Sequence, residues 1–138
     1  MIGNERGMTL IELLMAVFII TIGLTAIATG MLLATSSINV GQQETTASFL
    51  AEQKLEDIKA FALSTNGSQG FSNVTSANFP AEAYNAIASF GSYRRATTIS
   101  NPSATVKVVV VDVFYFPVGV ASTGAERQVT LSTMLRLR

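Results

Sequence analysis

The chain contains no cysteine, histidine or tryptophan, and only three prolines occur among its 138 residues. The lack of cysteine excludes a disulfide framework and a thiolate metal site, and the lack of histidine removes the commonest general base and metal ligand. The carboxylates Glu82, Asp112 and Glu126 are scattered without the spacing of a calcium loop, so we interpret them as solvated or paired surface residues. We therefore expect no enzyme, no metal site and no cofactor.

Charge is scarce and balanced, at 13% of residues with nine basic and nine acidic side chains. Electrostatic binding of nucleic acid needs a clearly basic face, so this balanced charge argues against nucleic-acid binding. Arginines 94, 95, 136 and 138 could form a DNA-binding patch, but such residues are usually solvated or paired with acidic neighbours. Residues 1–60 carry a net charge of minus three and residues 61–138 plus three, which suggests packing between protein surfaces.

Apolar residues are concentrated near the start, where residues 10–34 carry a single charge, Glu12. At about 1.5 Å per residue, a helix of this length exceeds a hydrocarbon core of roughly 30 Å. Residues 10–34 are therefore predicted to span a membrane. The run tolerates three threonines, whose hydroxyls can bond the carbonyl one turn back, while Gly23 and Gly30 allow close packing or local unwinding.

Helical periodicity continues beyond the apolar run, because apolar residues recur at steps of three and four between charged ones. The set is Ala47, Leu50, Ala51, Leu55, Ile58, Phe61 and Ala62. No proline precedes Pro80, so the pattern predicts one rod over residues 9–61, with Gly41 as its weakest interior point.

Beyond the rod, residues 63–80 are rich in turn formers and predict a loop. Residues 81–90 predict a short helix that Pro80 opens and Gly91 closes.

Residues 93–99, 105–116 and 127–137 predict three strands of an antiparallel meander. In the last strand Val129, Leu131, Leu135 and Leu137 alternate with polar residues, which predicts one covered face and one solvated face. The middle strand is apolar on both faces except at Lys107 and Asp112, and we expect it to lie between the other two. The predicted fold class is α+β, with the amphipathic half of the helix covering the sheet.

The chain begins with a short hydrophilic leader, MIGNERG, which is followed by MTLIE and the long apolar helix. This start resembles the type IV pilin and pseudopilin family, whose precursors carry a leader ending in glycine and a glutamate at the fifth mature position. The resemblance implies cleavage after Gly7 by a prepilin peptidase, N-methylation of Met8, and an assembly role for Glu12. It also implies the type IV pilin fold and other pilin subunits as partners in a helical filament.

Physical reasoning about Glu12 agrees with the resemblance, because a carboxylate within a membrane helix is costly and marks function. Glu12 could pair with the cationic N-terminus of the next subunit, neutralise two buried charges and fix the axial register. The alternative is that Glu12 is simply an acidic first-turn residue, which the helix dipole favours and which extends to the lipid headgroups.

An ordinary secretory signal peptide, cut at the small residues Ala26-Ile27-Ala28, is a second alternative. Its positive region would consist of Arg6 and the amine, opposed by Glu5, and the apolar run continues past the supposed cut. Cleavage before the apolar helix therefore fits the sequence better.

The stretch ASFLAEQKLEDIKAF and the closing VVDVFYF and ERQVTLSTMLRL resemble V-type minor pilins and I-type pseudopilins of type II secretion. The chain differs from major pilins in two respects. Thr29 stands where major pilins have a helix proline, and the chain lacks the cysteines of their C-terminal disulfide. The resemblance favours a minor pilin, with a secretion pseudopilin or a DNA- or surface-binding tip pilin as alternatives. It implies a leader at 1–7, a transmembrane and assembly helix at 8–35, and a pilin domain at 36–138. The expected location is the inner membrane with a periplasmic C-terminal domain, followed by the filament.

Overall fold

The computed structural model describes residues 8–118 and 124–137. Within them the chain forms one long helix and one antiparallel sheet. Helix α1 spans Leu10–Leu63, and strands β1, β2 and β3 span Tyr93–Ser103, Val106–Tyr115 and Arg127–Arg136, with a 3₁₀ turn at Phe71–Asn73. The predicted leader, including Gly7, and Arg138 lie outside the described residues. The expected α+β fold is confirmed.

Helix α1 runs without interruption for 54 residues, as the absence of proline predicted. Thr9 is its N-cap, and after Leu63 the backbone of Ser64 turns to an extended conformation, with its N–H bonded to the carbonyl of Phe61. Gly41, the predicted weak point, does not break the helix. Favourable packing of the second half over the sheet supports a helix of this length better than propensity alone.

Strand β2 lies between β1 and β3, which confirms the predicted order. Tyr93 pairs with Tyr115 at one end of β1, and β3 pairs with β2 from Tyr115↔Arg127 to Val106↔Arg136. Strand β1 extends beyond the predicted residue 99 to Ser103, and a register shift after Ser100 accommodates the extra residues.

The core lies between α1 and the inner face of the sheet. Alternate residues of β2 point inward, so valines from this strand meet leucine, isoleucine and alanine from the helix. The buried set is Ala47, Leu50, Ala51, Leu55, Ile58, Val74, Phe79, Tyr93, Val109, Val111, Val113 and Tyr115. From β3, Val129, Leu131 and Leu135 pack against it as predicted, whereas Leu137 lies beyond the strand and is 49% exposed.

The short helix predicted for residues 81–90 is wrong, because this segment consists of turns and a single bridge. The backbone of Glu82 exchanges two hydrogen bonds with Arg95, at 2.7 and 2.8 Å. Asn85 and Ser89 both have positive φ, which a right-handed helix does not allow. Pairing with the edge of β1 thus overrides the local helical propensity.

Candidate assembly site

The start of α1 holds Glu12 in a capping box with Thr9. Oε2 of Glu12 accepts hydrogen bonds from the backbone N–H and the hydroxyl of Thr9, each at 2.9 Å. In return, the Glu12 N–H donates to the Thr9 hydroxyl oxygen at 3.3 Å. This reciprocal pair satisfies donors that a helix start leaves open and fixes the carboxylate at the positive end of the helix dipole. The first-turn role considered from sequence is therefore present, and it occupies one carboxylate oxygen.

The first part of α1 packs on nothing within the described chain. It is long and apolar enough to cross a membrane, with a mean hydropathy of 2.5 over its best 18 residues and none of that window buried. The side chains of residues 8–35 are exposed except for a half-buried Ala16, whereas Ser36 is buried. An apolar surface of this size needs lipid or other protein chains to cover it.

Threonine hydroxyls along this apolar part donate hydrogen bonds to backbone carbonyls of the same helix. Thr21 and Thr25 donate to carbonyls one turn earlier, at 2.7 and 2.8 Å, and Thr29 donates to two carbonyls. Among the described residues, nothing lies within 4 Å of a Cβ placed at Gly23 or Gly30, so both glycines face open space. That space is available to a neighbouring helix.

The second part of α1 is fixed to the sheet by a buried ion network that sequence reasoning missed. Glu82 accepts from Lys54 at 2.9 Å and from Arg95 at 2.5 Å, and Arg95 also donates to the Leu50 carbonyl at 2.8 Å. Burial raises the pKa of Glu82, but hydrogen bonds and charge from Arg95 and Lys54 lower it more, so the net pKa lies below its usual value. The network joins helix, loop and strand.

A second cluster holds Glu126, which lies just before β3, against the outer face of the sheet. Arg94 forms two hydrogen bonds with the Glu126 carboxylate at 2.7 Å each, and the Tyr84 hydroxyl donates to the same carboxylate at 2.6 Å. The Arg94 guanidinium also lies 3.7 Å from the ring centre of Phe114. Hydrogen bonds from Arg94 and Tyr84 lower the pKa of Glu126 to about 2. We call this cluster the Arg94 clasp.

Lys107 on the inner face of β2 is buried without a carboxylate beside it in the described chain. Its ammonium donates to the carbonyls of Val74, at 2.7 Å, and Ser72, at 3.2 Å, and lies 5.2 Å from the ring centre of Phe71. These contacts satisfy the charge with backbone dipoles and pin the loop after α1 to the sheet.

Of the arginines considered for DNA binding, the three that the structure describes, Arg94, Arg95 and Arg136, do not form one patch. Arg94 and Arg95 point to opposite faces of the sheet, and each pairs with a glutamate. Arg136 lies at the other end of the sheet, paired with Val106 rather than near Tyr93. Aromatic residues near Arg94 and Arg95 serve in packing, since Tyr93 is buried against Tyr115 and Phe90, and Tyr84 stacks on Phe116 with ring centres 5.8 Å apart.

Residues 2–28 match the family described as the prokaryotic N-terminal methylation motif. No curated protein and no solved structure matches the chain. The match covers the leader, Glu12 and most of the apolar run, and together with the fold it supports a type IV pilin-like family. The chain thus carries the features of a type IV pilin or pseudopilin-like substrate of prepilin peptidase, and the motif and fold indicate a structural protein.

Proposed function

We propose that this type IV pilin-like chain is a minor pilin that enters a type IV pilus through its N-terminal helix and supports pilus assembly. The observation that carries the proposal is the division of α1 into two halves. Its second half is anchored to the sheet, while the first half, most of which lies within the match to the methylation motif, presents an uncovered apolar surface. Such a helix suits lipid before assembly and the helices of other subunits after it.

In this proposal a prepilin peptidase cuts after Gly7 and the new amine of Met8 is methylated. Cleavage creates a cation one residue before the N-cap Thr9, at the positive end of the helix dipole, where a positive charge is unfavourable. A carboxylate at this end offsets the charge. Glu12 is placed there by its bonds with Thr9, and only Oε2 is used in them. Oε1 can receive the amine of a neighbouring subunit.

In this proposal the apolar part of α1 spans the inner membrane before assembly, and the C-terminal domain lies in the periplasm. Gly23 and Gly30 then provide close approach or local unwinding where helices meet in the filament. A pseudopilin of type II secretion would use the same contacts. Loss of twitching or pilus display upon gene deletion supports the pilus, and loss of protein secretion alone supports the pseudopilus.

Glu12 variants test the docking step, because the capping role and the charge can be separated. Glu12→Gln keeps the acceptor that a capping box needs but removes the charge. We expect normal insertion and processing but poor entry into filaments, measured by immunoblot of sheared filaments against membrane levels. Glu12→Ala should behave likewise, and Glu12→Asp should show partial loss because its reach is shorter.

Thr9→Ala is the matched control, since it removes the hydroxyl of the capping box and leaves the carboxylate. It should weaken the helix start by about 1 kcal/mol and leave filament entry largely intact. Normal incorporation of the Gln variant together with loss in the Thr9 variant would show that Glu12 serves the cap alone.

A further inference from the structure

The loop that follows α1 contains an asparagine directly before a glycine, Asn66-Gly67, and all the residues 65–69 are exposed. Asparagine is a thermolabile residue. Its side-chain carbonyl carbon can be attacked by the backbone nitrogen of the next residue, and a following glycine leaves that approach open because it has no Cβ. Whether this reaction proceeds depends on how the fold holds the reacting groups.

The surroundings of Asn66 leave the reacting groups available. Oδ1 of Asn66 accepts hydrogen bonds from the N–H and the hydroxyl of Ser68, each at 3.3 Å, and these donors polarise the side-chain carbonyl. In the part of the chain that the structure describes, neither the Gly67 N–H nor the Asn66 NH₂ donates a hydrogen bond. The nucleophile and the leaving group are thus both free.

Two other asparagines nearby are held differently. The Asn73 side-chain NH₂ donates to the Gln69 carbonyl at 2.9 Å, and that of Asn78 donates to the Asn73 carbonyl at 2.7 Å. They precede Val74 and Phe79, whose side chains are buried and hinder the attack. The fold therefore distinguishes Asn66 from asparagines a few residues away.

We propose that Asn66-Gly67 is a self-modification site at which the chain cyclises and deamidates with water as the only co-reactant. The Gly67 nitrogen loses its proton and bonds to Cγ of Asn66, the Cγ–Nδ2 bond breaks, and ammonia leaves. Water then opens the succinimide ring. Breaking the bond from Cγ to nitrogen yields an aspartate at this position, and breaking the bond from the main-chain carbonyl carbon yields isoaspartate, whose backbone runs through Cγ.

The reaction alters the end of α1. It places a carboxylate just beyond the helix C-terminus, which is the negative end of the helix dipole. The isoaspartate also lengthens the backbone between Phe61 and Gly70, whose N–H donates to the Phe61 carbonyl at 2.9 Å. Aged subunits should therefore have a looser loop after the helix, in addition to one more negative charge.

The test uses the full-length protein in detergent, incubated at pH 8 in H₂¹⁸O and sampled over days. Trypsin cuts after Lys59 and Arg94, so Asn66, Asn73 and Asn78 share one peptide and act as internal references. Fragment masses should show conversion to the acid, with uptake of one ¹⁸O, at residue 66 well before the other two. An isoaspartate methyltransferase should label the same peptide.

Gly67→Ala is the matched variant, because no described atom lies within 4 Å of a Cβ at this position and the variant should fold normally. Its conversion at residue 66 should slow several-fold, toward the rate of Asn73. Conversion at residue 66 no faster than at Asn73 would overturn the proposal, as would conversion seen only after urea denaturation. A carbohydrate mass on Asn66 in protein from cells would also overturn it, by identifying the residue as a glycan acceptor instead.

Discussion

Glu82→Gln tests the buried ion network that ties α1 to the sheet. The substitution preserves the size of the side chain but removes the charge shared by Lys54 and Arg95, whose side chains are 13% and 8% exposed. Two largely buried cations would then lack a carboxylate. We expect a marked loss of folding stability. It can be measured on a fragment of residues 36–138, because residues 8–35 make no buried contact with the domain.

The size of the loss follows from the geometry. Removing one partner of a fully buried ion pair costs about 3–5 kcal/mol. Glu82 is 27% exposed, and the Leu50 carbonyl still accepts from Arg95, so solvent and the remaining bond reduce the expected loss to about 2 kcal/mol. Since about 1 kcal/mol shifts Tm by roughly 4–8 °C in a domain of this size, Tm should fall by about 10 °C.

The pH dependence provides an independent check. The folded-state pKa of Glu82 is lowered, so its stabilisation is present above the unfolded-state pKa and is lost as pH falls through the folded-state value. The difference in Tm between wild type and Glu82→Gln should therefore shrink in acid. A difference that grows as pH falls would contradict this sign.

Glu56→Gln is the matched control, because Glu56 pairs with Lys59 on the surface, with side chains 70% and 38% exposed. Surface pairs contribute about 0–1 kcal/mol, so its Tm should stay close to wild type. If the Glu82 variant melts like the Glu56 variant in thermal circular dichroism, the ion network does not stabilise the domain.

Three further predictions concern the domain, the Arg94 clasp and processing. Residues 36–138 should be soluble and folded, and Leu55→Asp should unfold them because Leu55 is 7% exposed in the core; an unchanged melt would contradict this. Glu126→Gln should speed deuterium exchange at the Val118 N–H, which donates to the Gln43 side chain. In the wild type, the Arg94 clasp should stay closed until the pH approaches 2, the pKa of Glu126. Equal exchange at Val118 in both proteins would contradict this role of the clasp. Gly7→Val should leave full-length protein in the membrane on immunoblots, and normal shortening would exclude cleavage after Gly7.

Apolar patterns were sufficient to predict α1 and all three strands. The first half of α1 and β2 are nearly continuous apolar runs, the second half of α1 repeats its apolar residues at steps of three and four, and β3 alternates apolar with polar residues. Such patterns failed for residues 81–90. There the backbone of Glu82 pairs with Arg95, thirteen positions later, and no local pattern encodes such a bridge. Pro80 and Gly91, which we expected as helix boundaries, instead delimit a turn-rich segment docked on the edge of β1.

The site was predictable only in part. The position of Glu12 followed from the motif, and the TxxE spacing of Thr9 and Glu12 is itself the signature of a capping box, which sequence reasoning overlooked. The Lys54, Glu82 and Arg95 network and the Arg94 clasp join residues from three separate segments. Which residues pair depends on how the loops fold back onto the sheet, and local sequence patterns do not predict such long-range contacts.

N-terminal mass spectrometry of the protein recovered from sheared filaments tests whether the chain is processed after Gly7 and assembled through the helix that begins beyond it. We predict a mature chain that starts at Met8 with a methylated amine. A terminus near Thr29 would identify a cleaved signal peptide, and an intact Met1 in filaments would show assembly without processing; either result would contradict the account.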